Sequence, residues 1–167
     1  MFVVAASRHP PYRHMYPLAL TIHSLLRWAV LATGAIAFGR ALGGARAGRA
    51  WTAADARAGL WFVLALDIQF LVGLALYLAL SPIMQLVFQD FGGAMRDSTL
   101  RFWGVEHIVG MMAGLALVHA GRVRIRKTAD AGRRHKTAAI FFGLALLAMV
   151  LTIPWPGMPA ARPLFRF

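Results

Sequence analysis

The sequence predicts an all-α fold: an integral membrane bundle of four transmembrane helices, with a short interfacial helix on its outer side. Hydrophobic residues make up 59% of the 167-residue chain, and the mean hydropathy is +0.62. Soluble domains contain about 45–50% apolar residues. Charged residues amount to only 14% and are grouped between long apolar runs, which is the pattern of a multi-pass membrane protein.

Four apolar runs are long enough to cross a bilayer, which takes about 20 residues. We predict spans at residues 18–42, 59–80, 102–121 and 137–153. Thr52 and Asp55 resemble a capping box ahead of the second span, and Asp97 is an N-cap candidate for the third. The fourth span ends at Pro154, because proline cannot continue a helix. Apolar positions within residues 82–99 predict the short interfacial helix.

The basic residues predict the topology of these spans. The segments at residues 40–57 and 122–136 contain eleven of the 18 Lys and Arg residues. The positive-inside rule places both segments in the cytoplasm, with both termini on the outer side of a bacterial inner membrane. The predicted organisation is an outer tail at 1–17, a transmembrane domain at 18–156 and an outer tail at 157–167. Both Met1 and Met15 are candidates for the start.

Composition also excludes several classes of function. The net charge is +12, but the basic residues lie in loops between apolar spans, so we do not expect nucleic acid as a partner. The chain has no cysteine, which excludes disulfides, iron–sulfur clusters and covalently attached c-type haem. No serine–histidine–aspartate set, metalloprotease motif or phosphate-binding loop is present. No catalytic residue is therefore assigned, and we expect an electron carrier or a subunit rather than a stand-alone enzyme.

Two histidines inside the predicted spans carry the functional prediction. His23 and His107 each lie five residues after the start of the first and third spans, which run in the same direction. At 1.5 Å per residue, both lie about 7–8 Å below the outer boundary. Two imidazoles at equal depth on two helices can hold the iron of haem b as axial ligands. A hydrogen-bonding or proton-relay role is the alternative for each.

Arg27 lies one turn below His23 on the same face of the first span. A charge within a span is costly and normally finds a partner. We expect Arg27 either to bind a haem propionate or to neutralise Glu106 or Asp67. Glu106 has two further interpretations, as a proton-handling group and as a hydrogen-bond partner for a quinol.

Three glycines follow these histidines at helical spacing. Gly110 and Gly114 come three and seven residues after His107, and Gly34 comes eleven after His23, so each lies near the face of its histidine. Small residues there would let a flat macrocycle approach the backbone, and we include all three among the predicted cofactor-binding residues. The alternative is that they only permit close helix packing.

Other histidines and methionines suggest fewer roles. His119 is twelve residues beyond His107, about 18 Å deeper, and no histidine of the first two spans matches it, so we expect a surface residue. Met111 shares a face with His107 and would suit copper(I) or a His/Met haem. A copper-handling function through Met111 and Met15 therefore stays an alternative, although methionine in a helix usually fills gaps in a core.

Several short motifs resemble a known family. They include "HSLLRW" in the first span, "DIQFLVGLALYLALSP" in the second and "FWGVEHIVGMM" in the third. Together with the fourth span and its proline-rich end, they resemble small four-helix bacterial membrane proteins described as cytochrome b-like, over about residues 21–166. The resemblance implies that His23 and His107 are the haem ligands.

These observations predict a membrane b-type cytochrome with one bis-histidine haem b near the outer face. We expect it to transfer electrons as part of a larger redox complex, with other membrane subunits and a quinol as partners and quinone as a further candidate cofactor. The alternative is a cofactor-free accessory subunit of a respiratory or photosynthetic membrane complex.

Overall fold

A computed structural model describes residues 15–165, most of which are helical, with no strand among them. Residues 1–14 of the predicted outer N-terminal tail, and with them the Met1 start, lie outside the described residues. Four helices are long and apolar enough to cross a membrane, which confirms the four predicted runs. They are α1 (Met15–Ala47), α2 (Ala53–Leu80), α5 (Ser98–Lys127) and α6 (Ala131–Leu151), with α3 (Pro82–Gln89) and α4 (Phe91–Ala94) between the second and third.

The predicted helix starts are confirmed by their caps. Thr52 and Asp55 form a reciprocal capping box, in which the Asp55 carboxylate accepts from the Thr52 backbone N–H at 2.9 Å. The Asp97 side chain accepts from the backbone N–H of Leu100 at 2.8 Å at the start of α5. Such side chains satisfy backbone donors that the first turn of a helix leaves unpaired. The helix predicted within residues 82–99 is α3.

Asp55 also ties α1 to α2. Its carboxylate lies 2.9 Å from Arg40 of α1 and 2.6 Å from Arg49 of the connecting loop, and its side chain is 1% exposed. The hydrogen bond from Arg49 to this carboxylate raises the pKa of Arg49. One buried acid therefore caps α2 and holds two cations of the loop, so that the capping box also closes the α1–α2 hairpin.

The long helices pack as a ring that is closed least tightly on one side. Helix α1 packs along α2 and α6, and α5 packs along α6, whereas α2 and α5 are the neighbouring pair with the least contact. Helices α1 and α5 therefore lie diagonally opposite each other. Three polar contacts cross the gap between α2 and α5, each at 2.8–2.9 Å: the Tyr77 hydroxyl to the Gly104 carbonyl, His119 to Asp67, and Arg122 to the Ala56 carbonyl.

The apolar core occupies the half of the bundle nearer the α1–α2 loop. Phe62 and Phe142 meet edge to face there with ring centroids 5.5 Å apart, and both are buried. The surrounding side chains are mostly small or branched, and include Ala37, Ala138 and Val118. A second small cluster lies beneath α3. Because the core fills one half, the other half can enclose a cavity.

Two π-helical turns interrupt the long helices at the end away from the core. Leu76–Leu80 ends α2, and Phe102–Glu106 lies within α5 directly before His107. The backbone N–H of His107 accordingly bonds the Phe102 carbonyl five residues back. Such turns occur often at functional sites, and no local sequence signal marked them here.

The segment after α6 packs against the helices. The Trp28 indole N–H donates to the Leu164 carbonyl at 3.0 Å, and the Arg162 N–H donates to the Pro154 carbonyl at 3.2 Å. The predicted outer C-terminal tail is therefore folded onto the bundle through residue 165, where its position can complete the wall of the cavity.

Candidate functional site

A cavity lies among the four long helices, at the end where α1 and α5 begin. Its empty volume is about 1230 Å³ with the open mouth included, and its walls are mainly aliphatic and aromatic. Ligand sites in proteins are typically apolar hollows with a few placed polar groups. The polar groups here include His23, His107, Arg27, Gln69 and Arg162.

The structure brings His23 and His107 together across this cavity. Their ring centroids are 6.3 Å apart, with the ring planes at 72°. His23 lies eight residues after the start of α1 and His107 nine after the start of α5, so two diagonal helices present their imidazoles at nearly the same level. Two imidazoles on opposite sides of one metal ion, with nitrogen–metal bonds of about 2.0 Å, have ring centres about 6 Å apart. The spacing fits such a pair.

His107 is held in one orientation by the end of α6. Its Nδ1 lies 2.8 Å from the Thr152 carbonyl oxygen, and because a carbonyl can only accept, Nδ1 carries the proton. Nε2 therefore carries the lone pair and makes no hydrogen bond within the described residues. Metal-binding histidines commonly have their other ring nitrogen fixed in this way. Phe102 and Trp103 pack against the ring, with centroids 5.9 and 5.5 Å away.

His23 is placed by α2. Its Nε2 lies 3.3 Å from the Gln69 side-chain amide, and its Nδ1 is buried without a partner. Gly73, one turn beyond Gln69, makes room for the ring, since a Cβ at position 73 would lie 2.9 Å from His23 Cε1. Sequence reasoning missed Gly73. The available signal was its position at i+4 from the only glutamine of that span.

Unpaired buried polar atoms concentrate in this cavity. Among the described residues, four buried side-chain N or O atoms have no hydrogen-bond partner, and three belong to cavity-lining residues: Nδ1 of His23, Nε of Arg27 and Oε1 of Gln69. Each such atom costs about 1–3 kcal/mol if it stays unpaired. This concentration marks the cavity as the place where a ligand or water could pair with most of the unpaired buried polar atoms of residues 15–165.

The charge of the cavity is positive. Arg27 and Arg162 line it, and no acidic side chain of residues 15–165 does. The predicted pairing of Arg27 with Glu106 or Asp67 is wrong, because Glu106 pairs with Arg101 and Asp67 with His119, each at 2.8 Å. Arg27 instead donates to the carbonyl oxygen of Leu164. The cavity therefore suits a ligand with anionic groups.

The three predicted cofactor-binding glycines do not line the cavity. A Cβ at Gly110 would meet the Thr152 side chain, and one at Gly114 would meet Met149. A Cβ at Gly34 would lie 2.8 Å from atoms of Phe62 and Leu146. All three face neighbouring helices, so their prediction as cofactor contacts is wrong and the close-packing alternative describes them. The error arose because the face of a helix that carries a cavity residue is wide enough to contact a neighbouring helix as well.

His119, predicted as a surface residue, is half exposed, with Asp67 beside it also partly exposed, at 50% and 37% of their side chains. The pairing itself was not predicted.

Met111 lines the cavity, whereas Met15 is exposed at the start of α1. Within the described residues, no group of three or more His, Cys, Asp or Glu side chains could hold a metal ion. A protein-only copper or zinc site normally needs three or four ligands, but a haem iron needs two.

Fold and site together define a class: an all-helical protein with four helices suited to cross a membrane and a positively charged cavity presenting two imidazoles. Comparison with protein-family models, with curated proteins and with solved structures returned no match. The function is therefore argued from the site.

Proposed function

We propose that this protein is an integral membrane b-type cytochrome that holds one haem b between His23 and His107 and transfers electrons. The observation that carries the proposal is the 6.3 Å separation of the two ring centroids across an apolar cavity. Haem supplies one-electron redox chemistry when bound, with a potential that depends on axial ligands and burial.

The membrane placement is supported by what the four long helices expose. Large apolar side chains stand on their outer surfaces, among them Ile36, Leu71, Met112 and Leu151. A water-soluble protein rarely exposes apolar surface on this scale. The basic residues at the α1–α2 and α5–α6 connections favour a cytoplasmic position for those connections, and with that orientation the cavity lies near the outer face of a bacterial inner membrane.

The residues of the cavity fit haem b in three respects. The two imidazoles are the only protein ligands that the iron requires, since the porphyrin supplies the other four nitrogens. Arg27 and Arg162 can each donate to a propionate carboxylate. The Gln69 amide can turn its oxygen to His23 Nε2, which then donates, leaving the Nδ1 lone pair for the iron and satisfying the unpaired Oε1. Trp103 and Phe102 keep water from the His107 ring.

The direct test is a reduced-minus-oxidised absorbance spectrum of the purified protein from cells supplied with haem. We expect the Soret and α bands of a low-spin haem b. A protein that extracts with the membrane fraction but shows no such bands, even after addition of haemin, is not a cytochrome.

A second proposal concerns assembly, and one observation favours it. The Asp67–His119 pair lies on α2 and α5 within the predicted spans, yet it is about half exposed. Polar side chains at membrane depth normally face protein or water rather than lipid. A neighbouring membrane subunit against this face would cover the pair, with or without haem in the cavity. Mild solubilisation followed by native electrophoresis tests this, and migration as a lone 18.3 kDa chain would contradict it.

A further inference from the structure

A second concave site lies at the opposite end of the bundle from the histidine pair. It opens between the start of α2 and the end of α5, has an empty volume of about 770 Å³ with its mouth included, and is lined by Trp51, Ala56, Arg122, Ile125, Arg126 and Arg134. Three of these six residues are arginines and none is acidic. The site takes no part in the proposed haem chemistry.

The nearby acids are already engaged elsewhere. Asp55 binds Arg40 and Arg49, and Asp130 caps the first turn of α6 by accepting from the Arg133 N–H at 2.7 Å. The three arginines of the site are therefore not neutralised by a carboxylate in its lining. Like charges held in one hollow repel each other, and an anion between them removes that repulsion.

The arginines are held in place by the backbone. Arg122 donates to the Ala56 carbonyl across the α2–α5 gap at 2.9 Å, and Arg134 donates to the Thr128 carbonyl. Arg126 is exposed and makes no hydrogen bond within residues 15–165. Two guanidinium groups are thus anchored and one is free to close on a ligand. Guanidinium groups bind phosphate through paired N–H donors.

The position of the site favours a lipid headgroup as the phosphate that these guanidinium groups would bind. Basic pockets between transmembrane helices on the cytoplasmic side bind the headgroups of anionic lipids, and tryptophan is enriched at the same level of the membrane. Leu60 and Leu64 follow Ala56 at i+4 and i+8, on one face of α2, and both are about 40% exposed. An acyl chain can lie along this face when its headgroup occupies the hollow.

We propose that this arginine site binds the phosphate of an anionic phospholipid. The inference rests on the proposed membrane placement and not on the haem, so a missing haem spectrum leaves it intact. Carbonate extraction tests the membrane placement separately. If carbonate releases the chain from membranes, the assignment of a lipid to this site is wrong.

The test uses the full chain in a neutral detergent, with phosphatidylglycerol or phosphatidylcholine added, and native mass spectrometry to count bound lipid. We expect phosphatidylglycerol to be retained at least about tenfold better, which corresponds to one hydrogen bond with a charged group. Arg126→Gln should remove most of this preference. Arg126 is chosen because it is exposed, so its replacement should not disturb folding. Arg122 is not replaced in this test, because its hydrogen bond to the Ala56 carbonyl links α5 to α2.

Arg57→Gln is the matched control, since Arg57 is an exposed arginine near the start of α2 outside the site. It should keep the preference, and Arg134→Gln should lose it like Arg126→Gln. Equal retention of the two lipids, or equal loss in the Arg57→Gln variant, would overturn the proposal in favour of diffuse charge attraction. Full displacement of phosphatidylglycerol by millimolar inorganic phosphate would reassign the site to free phosphate.

Discussion

The Nδ1 atom of His107 lies 2.8 Å from the carbonyl oxygen of Thr152, the residue at which α6 has just ended. In a continuing helix this carbonyl would accept from the N–H four residues on, but that residue is Pro156, which has no N–H. Since α6 has stopped before Pro154 and Pro156 has no N–H to donate, this acceptor is left free, and the histidine uses it. The orientation of the candidate ligand follows from the way a neighbouring helix stops.

Replacing either cavity histidine by alanine should abolish the low-spin absorbance bands of haem b. One remaining imidazole leaves the iron five-coordinate and a void in the apolar cavity, so we expect loss of the low-spin bands at unchanged expression. The measurement is a pyridine haemochrome assay together with the redox difference spectrum.

His119→Ala is the control for these variants. His119 lies on the same helix as His107 but pairs with Asp67 outside the cavity, so its replacement should leave the spectrum intact. If His119→Ala loses the bands while His23→Ala keeps them, the ligands have been misassigned.

Gly73→Ala should disturb haem binding without removing a ligand. Its new Cβ would stand 2.9 Å from His23 Cε1, a distance that forces the imidazole to shift. We expect partial haem loss or a shifted α band, read from the same spectrum. Gly39→Ala is the matched control, because a Cβ there meets nothing within 4 Å. Identical spectra for Gly73→Ala and the parent protein would mean that α2 does not position His23.

Gly44→Ala should destabilise the bundle, whereas the adjacent Gly43→Ala should not. A Cβ at Gly44 would collide with the ring of His135, which is fully buried and packs on Trp51 with centroids 4.8 Å apart. Overpacking of this kind costs about 1–3 kcal/mol. The measurement is unfolding in mixed detergent micelles, followed by circular dichroism.

Position 43 has open space around its Cβ, and alanine there favours the helix by up to about 1 kcal/mol. Gly43→Ala is therefore expected to be neutral or slightly stabilising. Equal stability of the two variants would show that the approach of α1 to the start of α6 is looser than described.

Asp55→Ala should lower the free energy of unfolding by about 2–4 kcal/mol. The variant removes a helix cap, which contributes about 1 kcal/mol, and leaves Arg40 and Arg49 without their shared carboxylate, where a hydrogen bond to a charged group contributes about 1.5–3 kcal/mol. The same detergent unfolding measures it.

Asp97→Ala serves as the comparison, because Asp97 caps α5 without an ion pair among the described residues. Its loss should cost only the cap, about 1 kcal/mol. A cost for Asp55→Ala no greater than that for Asp97→Ala would mean that the two arginines contribute nothing to closing the α1–α2 hairpin.

The features predicted correctly from sequence depend on neighbouring residues. The four long helices follow from apolar runs, the capping box from Thr52 and Asp55, and the end of α6 from the prolines after it. The level of His23 and His107 was also predictable, because position along a helix fixes depth at 1.5 Å per residue. Counting along two parallel helices was enough to bring the rings to one level.

The features predicted wrongly depend on which helices are neighbours. Gly34, Gly110 and Gly114 share a face with a histidine, but a helix face spans more than 100° and touches more than one partner. The predicted ion pair of Arg27 was wrong for a related reason, because its observed partner, the Leu164 carbonyl, comes from the far end of the chain. Gly73 was missed because its importance lies in the ring that it admits from another helix.

By itself, the amino-acid sequence determined that the chain is helical, where its four membrane-length helices lie and at what level each carries its histidine. Hydrophobicity, helix caps and prolines act over a few neighbouring residues, so their effects can be predicted without knowing the fold. Only the tertiary structure decided that α1 and α5 lie diagonally opposite each other, that a cavity separates their imidazoles and that no acidic side chain of residues 15–165 lines it. Those properties arise from contacts between segments far apart in the chain, where many packings satisfy the same local pattern.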